Sequence, residues 1–372
     1  MDPELLFGLV VLLLPVAAFS GWVIGRKEKR AKKGASLVTT GMSPDYFKGL
    51  NYLLNDRPDK AIEVFIKVLE VESETVETHL ALGNLFRRRG EVDRAIRIHQ
   101  NLVARPTLDS EQRSLALLEL GLDYMRSGLL DRAESLFKEL LETKMFEQQA
   151  LRNLVDIFQQ EQDWDHALQY ITRLENCTGE DQRAMRAHFY CEKAQIAIGK
   201  NDEDSARQFL STALKQDRKC VRASLMLANI AANNGAYKES NAALKKIENQ
   251  DLDFLPEAIS GLVKNYRALN DLDGLARYLT KLSELHSGIT PILVLAELAA
   301  DSDELDRARH YIIEELRTRP TVRGIDRLIE YLLIDANGEA EENLRLLKET
   351  TSRLVEEKKV YKCGSCGFTG RS

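Results

Sequence analysis

GNLFRRRGEVDRAIRIH, Gly83 to His99, carries four residues at telling offsets. Gly83 is followed by an aromatic three residues on (Phe86), an alanine twelve on (Ala95) and a large residue sixteen on (His99). The same offsets return in GLNYLLNDRPDKAIEVF, with Gly49, Tyr52, Ala61 and Phe65. They return again in GLDYMRSGLLDRAESLF, with Gly121, Tyr124, Ala133 and Phe137. Each stretch reads as two amphipathic helices in succession. The Gly on the first helix lets a neighbouring helix approach closely, and the aromatic fills the space beside it. The Ala on the second helix is small because the first helix of the same unit crosses there.

Outward from these three units the period continues while the signature thins. Ala167 with Phe158, Ala206 with Ala194, Ser240 with Ala228, Leu275 with Tyr266 and Ala308 with Ala296 carry it on. The second-helix positions step by 34, 38, 34, 39, 34, 35 and 33 residues, which places insertions between units. A last helix pair, Val322 to Glu357, closes the stack. A helix-turn-helix recurring at about 34 residues is the mark of a tetratricopeptide repeat. The expected fold is all-α: a tetratricopeptide-repeat superhelical solenoid of eight to nine units over residues 43–357. Composition agrees, with aromatics at 7% and only eight prolines, which disfavours an all-β chain.

Such an array lines a groove with its first helices and holds another protein rather than enclosing a transition state. Asn84, Arg87 and Arg88 fall at repeat positions nine, twelve and thirteen. There they stand either as a carboxylate clamp facing the groove or as a solvated helix end. No HExxH, Gly-rich phosphate loop or GxSxG is present. His79, His99, His166, His188, His286 and His310 are isolated from one another and read as packing or surface residues. His99 stands out because it takes the slot that holds Phe in the flanking units. In HFYCE, His188 and Cys191 are three apart and read as packing between units. An enzyme is not expected.

Residues 1–25 read as a transmembrane anchor. LLFGLVVLLLPVAAFSGWVI, Leu5 to Ile24, is uncharged, and 20 helical residues rise roughly 30 Å, one hydrocarbon core. RKEKRAKK follows, with six basic residues between Arg26 and Lys33, and residues 26–42 form a basic juxtamembrane linker. A cleaved signal peptide carries its charges before the apolar run, not after it. The positive-inside rule puts the bulk of the chain in the cytoplasm, on a single-pass protein. Gly21 and Gly25 have GxxxG spacing, which leaves homo-oligomer formation open. The net charge of −6 gives no push toward nucleic acid. Five cysteines, three of them scattered, do not form a disulfide framework.

The chain ends VYKCGSCGFTGRS. Cys363 and Cys366 have metal-knuckle spacing, and Gly367 suits the bend that turns backbone N–H groups toward a thiolate. Four ligands complete a tetrahedral site, and no second CxxC follows before Ser372, so residues 358–372 read as a partial knuckle. A redox dithiol is the other reading of the pair.

Anchor, basic run, repeat array and knuckle, in this order, resemble the lipopolysaccharide assembly protein B family over nearly the entire chain. The stretches LLFGLVVLLLPVAAFSGW, LGNLFRRRGEVDRAIRIHQ, AHFYCE and YKCGSCGFT carry the resemblance. It implies a truncated C-terminal rubredoxin-like knuckle binding iron or zinc through Cys363 and Cys366, the first of the family's two CxxC pairs. It implies location in the cell inner membrane and a role in restraining lipopolysaccharide synthesis. The implied partners are the membrane protease FtsH and the LpxC deacetylase, whose degradation the family promotes, and the lipopolysaccharide synthesis and transport proteins. The competing expectation is a general membrane-tethered scaffold with no role in proteolysis.

Overall fold

A computed structural model describes residues 44–55, 57–71, 76–286, 288–356, 360–362 and 369–371. The expected anchor at Leu5–Ile24, the linker at 26–42, and Cys363 and Cys366 lie outside the described residues. Among those described, no helix is long and apolar enough to cross a membrane.

Among the described residues, eighteen α-helices follow one another. They are α1 (Pro44–Leu54), α2 (Pro58–Val71), α3 (Val76–Arg88), α4 (Val92–Val103), α5 (Ser110–Arg126) and α6 (Leu130–Thr143). Next come α7 (Glu147–Gln160), α8 (Trp164–Thr178), α9 (Arg183–Gly199), α10 (Glu203–Gln216), α11 (Val221–Asn233) and α12 (Tyr237–Lys245). Two short 3-10 turns precede α13 (Leu255–Ala268), α14 (Leu272–Leu285), α15 (Thr290–Asp301), α16 (Leu305–Thr318), α17 (Val322–Leu333) and α18 (Glu339–Glu356). Strands β1 (Val360–Lys362) and β2 (Thr369–Arg371) then pair antiparallel, with Tyr361 opposite Gly370. The chain forms two compact units, residues 1–153 and 154–372, divided within α7.

The helices pair as hairpins because one turn recurs. Two residues before α4, α6, α8, α10, α12, α14 and α16 stands a residue with positive φ: Gly90, Gly128, Gln162, Asn201, Gly235, Asn270 and Asp303. Glycine or a short polar side chain is favoured at most of these positions because a Cβ is disfavoured in that conformation. The next residue's N–H reaches back to the carbonyl five residues earlier, as Glu91 does to Phe86 at 2.9 Å and Asp202 to Ala197 at 2.9 Å. This Schellman closure satisfies carbonyls that a helix end otherwise leaves open. Asp163, Asp202 and Asp271 then cap the following helices through backbone N–H groups.

Five residues beyond each positive-φ residue sits the buried second-helix residue of the repeat. Ala61, Ala95, Ala133, Ala167, Ala206, Ser240, Leu275 and Ala308 are each no more than 1% exposed. All eight are core, including the units where the sequence signature had thinned. The extra residues of the two long steps are not confined to loops. Much of the excess lengthens the first helices α5 and α9, each 17 residues. At α5 the added turn is anchored by a capping box, Asp109 with Gln112.

The reason for the first-helix glycine is sharper than the sequence suggested. A Cβ on Gly49 would stand 2.6 Å from the ring of Phe65, and one on Gly121 would stand 2.7 Å from Phe137. The residue sixteen on, not the aromatic three on, fills the hollow. The nearer aromatic instead carries a cation: Arg94 lies 5.3 Å from the Phe86 ring centre and Arg132 5.7 Å from that of Tyr124.

Candidate partner-binding site

The first unit places Asn84 and Arg87 on α3, one helical turn apart, facing α5. Arg87 is planar and five-handed, and it uses that geometry fully. One terminal nitrogen donates to Asp123 Oδ1 at 2.8 Å and to the Glu119 carbonyl at 3.1 Å. The other donates to Glu119 Oε2 at 2.6 Å and to Asn84 Oδ1 at 2.7 Å. Burial disfavours the Arg87 charge, but the two carboxylates outweigh it and hold the guanidinium above its ordinary range. Arg88, on the next position of α3, is exposed.

Asp123 is itself fully buried, and its second oxygen meets His99 Nδ1 at 2.5 Å. With a carboxylate as its neighbour, Nδ1 is the nitrogen that carries the proton. His99 lies over Gly83 in the hollow that Phe65 and Phe137 fill in the adjoining units. Its Nε2 is buried with no hydrogen-bond partner among the described residues. The pair is sealed from water and serves as a joint between helices. It ties α4 to α5, the second helix of one repeat to the first of the next. The second unit makes the same step with neutral groups, where Asn265 donates to Ser240 Oγ at 2.8 Å and to Asn241 Oδ1 at 2.9 Å.

The carboxylates of this site, Glu119 and Asp123, were not singled out in the sequence. The signal was a charged residue at a core position of α5, paired with a His in a Phe slot one repeat earlier. His188 and Cys191 are adjacent on α9 but do not share a partner. His188 faces Arg222 at 3.2 Å and Glu192 at 3.4 Å, whereas Cys191 faces Cys220. His79 meets Arg105 at 2.8 Å, His166 meets Asp163 at 2.7 Å, and His286 lies 3.5 Å from Glu248. Among the described residues, no three His, Cys, Asp or Glu side chains gather as a metal site.

Tetratricopeptide-repeat family models match residues 78–113, 118–181 and 191–252. Lipopolysaccharide assembly protein B of Escherichia coli (strain K12) is 38% identical over 367 residues, covering 98% of this chain and 93% of that protein. Its counterpart in Haemophilus influenzae is 35% identical over 375 residues, with the same coverage of 98% and 93%. The solved MamA protein is similar at 20% identity over 47% of this chain and 91% of its own, with a TM-score of 0.36. The chain is a repeat scaffold rather than an enzyme, and it belongs to the lipopolysaccharide assembly protein B family.

Proposed function

We propose that this chain is an inner-membrane adaptor that regulates lipopolysaccharide synthesis. The observation that carries the reading is the similarity to lipopolysaccharide assembly protein B along 98% of the chain, repeats included. In this reading Leu5–Ile24 confines the array to the plane of the membrane, with residues 26–42 as linker and the bulk of the chain cytoplasmic. Confinement raises the effective concentration of client and protease without any new contact. The array promotes degradation of the LpxC deacetylase by the membrane protease FtsH and gathers lipopolysaccharide synthesis and transport proteins.

The first-helix face around Asn84, Arg87 and Arg88 is the proposed client surface. Asn84 and the carboxylates of α5 hold Arg87 in place, and exposed Arg88 presents a guanidinium beside it. Cys363 and Cys366 supply two thiolates toward iron or zinc. A tetrahedral ion needs two further ligands.

The test is the half-life of the deacetylase in cells depleted of their own adaptor and supplied with this chain. A shortened half-life is expected, and deletion of Leu5–Ile24 lengthens it while the array stays folded. A long half-life with the intact chain present and folded overturns the proposal. Pull-downs that recover synthesis enzymes but never the protease replace it with a scaffold that has no role in proteolysis.

A further inference from the structure

The second unit brings together two cysteines that the repeat pattern does not call for. Cys191 lies in the middle of α9 and is fully buried among Ala187, Ala194 and Ala223. Cys220 is the N-cap residue of α11 and is partly exposed. Their sulfurs are 3.7 Å apart, across 29 residues of sequence. We propose that Cys191 and Cys220 are a peroxide-sensitive oxidation site whose product is a disulfide fastening α9 to the start of α11.

Three features make the pair more than a packing contact. A disulfide needs its sulfurs at about 2.05 Å, so they must close by roughly 1.6 Å, a distance within reach of side-chain rotation at a partly exposed helix start. The two thiols are also unequal. The Cys191 S–H supports a thiolate on Cys220, and the Ala223 N–H at the first turn of α11 supports it further, so the Cys220 thiol is shifted down even though burial opposes this. Of the nearby charges, Asp217 opposes the shift and Arg222, two residues on, acts with it. Cys191 is shifted up, by the same contact and by its burial, and so keeps its proton. Finally, the partly exposed cysteine is the one poised to attack, and the buried cysteine is the one placed to resolve the product.

The chemistry balances with a hydroperoxide as oxidant. The Cys220 thiolate attacks one peroxide oxygen, the O–O bond breaks, and hydroxide (or alkoxide) leaves, giving a sulfenic acid on Cys220. The Cys191 sulfur then attacks the Cys220 sulfur, the S–O bond breaks, and water forms with the proton that Cys191 gives up. Two thiols lose two electrons in all, and the peroxide gains them. A dithiol reductant reverses the bridge.

The test treats the full-length chain in detergent with hydrogen peroxide and maps its tryptic peptides without reduction. The expected product is AHFYCEK (187–193) joined to CVR (220–222) and released by dithiothreitol. Alkylation of Cys220 by iodoacetamide at neutral pH is expected to run several-fold faster than that of exposed Cys177. In Cys191→Ala the reaction is expected to stop at the sulfenic acid, captured on Cys220 as a dimedone adduct that the native chain does not give. The proposal is overturned if Cys191 and Cys220 stay free while Cys177 oxidises. It is equally overturned if Cys220 goes to sulfinate beside a free Cys191, or if Cys220 bridges to Cys177, Cys363 or Cys366. The map of the native chain decides even if the variant fails to fold.

Discussion

His99 donates to Asp123 across the gap between two repeats, Nδ1 to Oδ2 at 2.5 Å, with both side chains fully withdrawn from solvent. Arg87 closes the group from the third helix. Removing one member of a buried charged group costs more than the group contributes, because its partners stay buried and unpaired. Asp123→Ala is therefore expected to destabilise α3–α5 by about 3 kcal/mol or more. A repeat array need not unfold in one step, so the measurement is amide hydrogen exchange along these helices, not a global melt. His99→Phe restores the side chain of the neighbouring units and is expected to cost less. In the double variant the Asp123→Ala penalty is expected to shrink by about 1 kcal/mol, since Arg87 then keeps Glu119 and no histidine is stranded. Additive costs would remove the claim of a coupled joint.

Glycines in the helices separate packing from propensity. Ala in place of Gly in a helix interior gains about 1 kcal/mol of intrinsic preference. At Gly121 the added methyl stands 2.7 Å from the Phe137 ring, and overpacking of that kind typically costs about 1–3 kcal/mol. The clash wins, so Gly121→Ala is expected to destabilise α5–α6 on balance, and Gly49→Ala to destabilise α1–α2. Gly199, at the end of α9, has nothing within 4 Å of its would-be methyl. Gly199→Ala is expected to be neutral or stabilising by up to about 1 kcal/mol. Hydrogen exchange of the three variants checks the order. Equal effects at Gly121 and Gly199 would refute the hollow as the reason for the glycine.

The repeat was legible because its cause is local. Ala95 and Ala133 are small where helices cross, and a buried residue recurs at that place in each unit named. It let even Ser240 and Leu275 be placed in the core. The turn was less legible, because Gln162, Asn201 and Asp303 do in their units what Gly90 does in the Gly83 unit, and four residue types hide one conformation. The polar joint was half legible. His99 stood out in a Phe slot, but the residue that explains it, Asp123, is 24 positions away and looks like any acidic residue of a charged helix. Arg87 was singled out for a carboxylate, and the carboxylates it holds belong to its own chain. Cys191 and Cys220 meet only because α9 and α11 stack, which no spacing within one unit reveals.

Asp326 makes the last hairpin sensitive to acid. It lies on α17 and accepts from Lys348 at 2.8 Å, Thr351 at 2.7 Å and Ser352 at 3.1 Å, all on α18. Burial raises its pKa, but Lys348 and the two hydroxyls outweigh burial and hold it below the ordinary 3.8. A carboxyl lowered on folding contributes stability that is fully present above its unfolded value. The contribution is lost as pH falls below about 4 and through the folded value. Docking of α18 on α17 is therefore expected to loosen as pH falls below about 4 and through the lowered value of Asp326. Asp326→Asn is expected to flatten that dependence while weakening the docking at neutral pH. Hydrogen exchange of α18 against pH checks both. An unchanged acid response in the variant would assign the loosening to another group.

The turns offer a test in which the size of the effect changes with the residue introduced. Gly90 has φ +84°, and Asn201, at the same place three units later in the turn series, has φ 58°. Alanine in this region is disfavoured by roughly 1–2 kcal/mol, and neither position gains a contact to offset it. Gly90→Ala is therefore expected to destabilise the α3–α4 hairpin by about 1 kcal/mol. Asn201→Gly relieves the Cβ strain at the α9–α10 turn but gives the unfolded chain more freedom, worth about 0.4–1 kcal/mol in the opposite direction. Asparagine also tolerates the left-handed region better than most side chains, so the two effects nearly cancel and a change within about 0.5 kcal/mol is expected. Asn201→Ala then carries the full cost, with the same loss as Gly90→Ala. Local opening free energies from hydrogen exchange rank the three variants. If Asn201→Ala were as stable as the native turn, the shared conformation would not be what closes these hairpins.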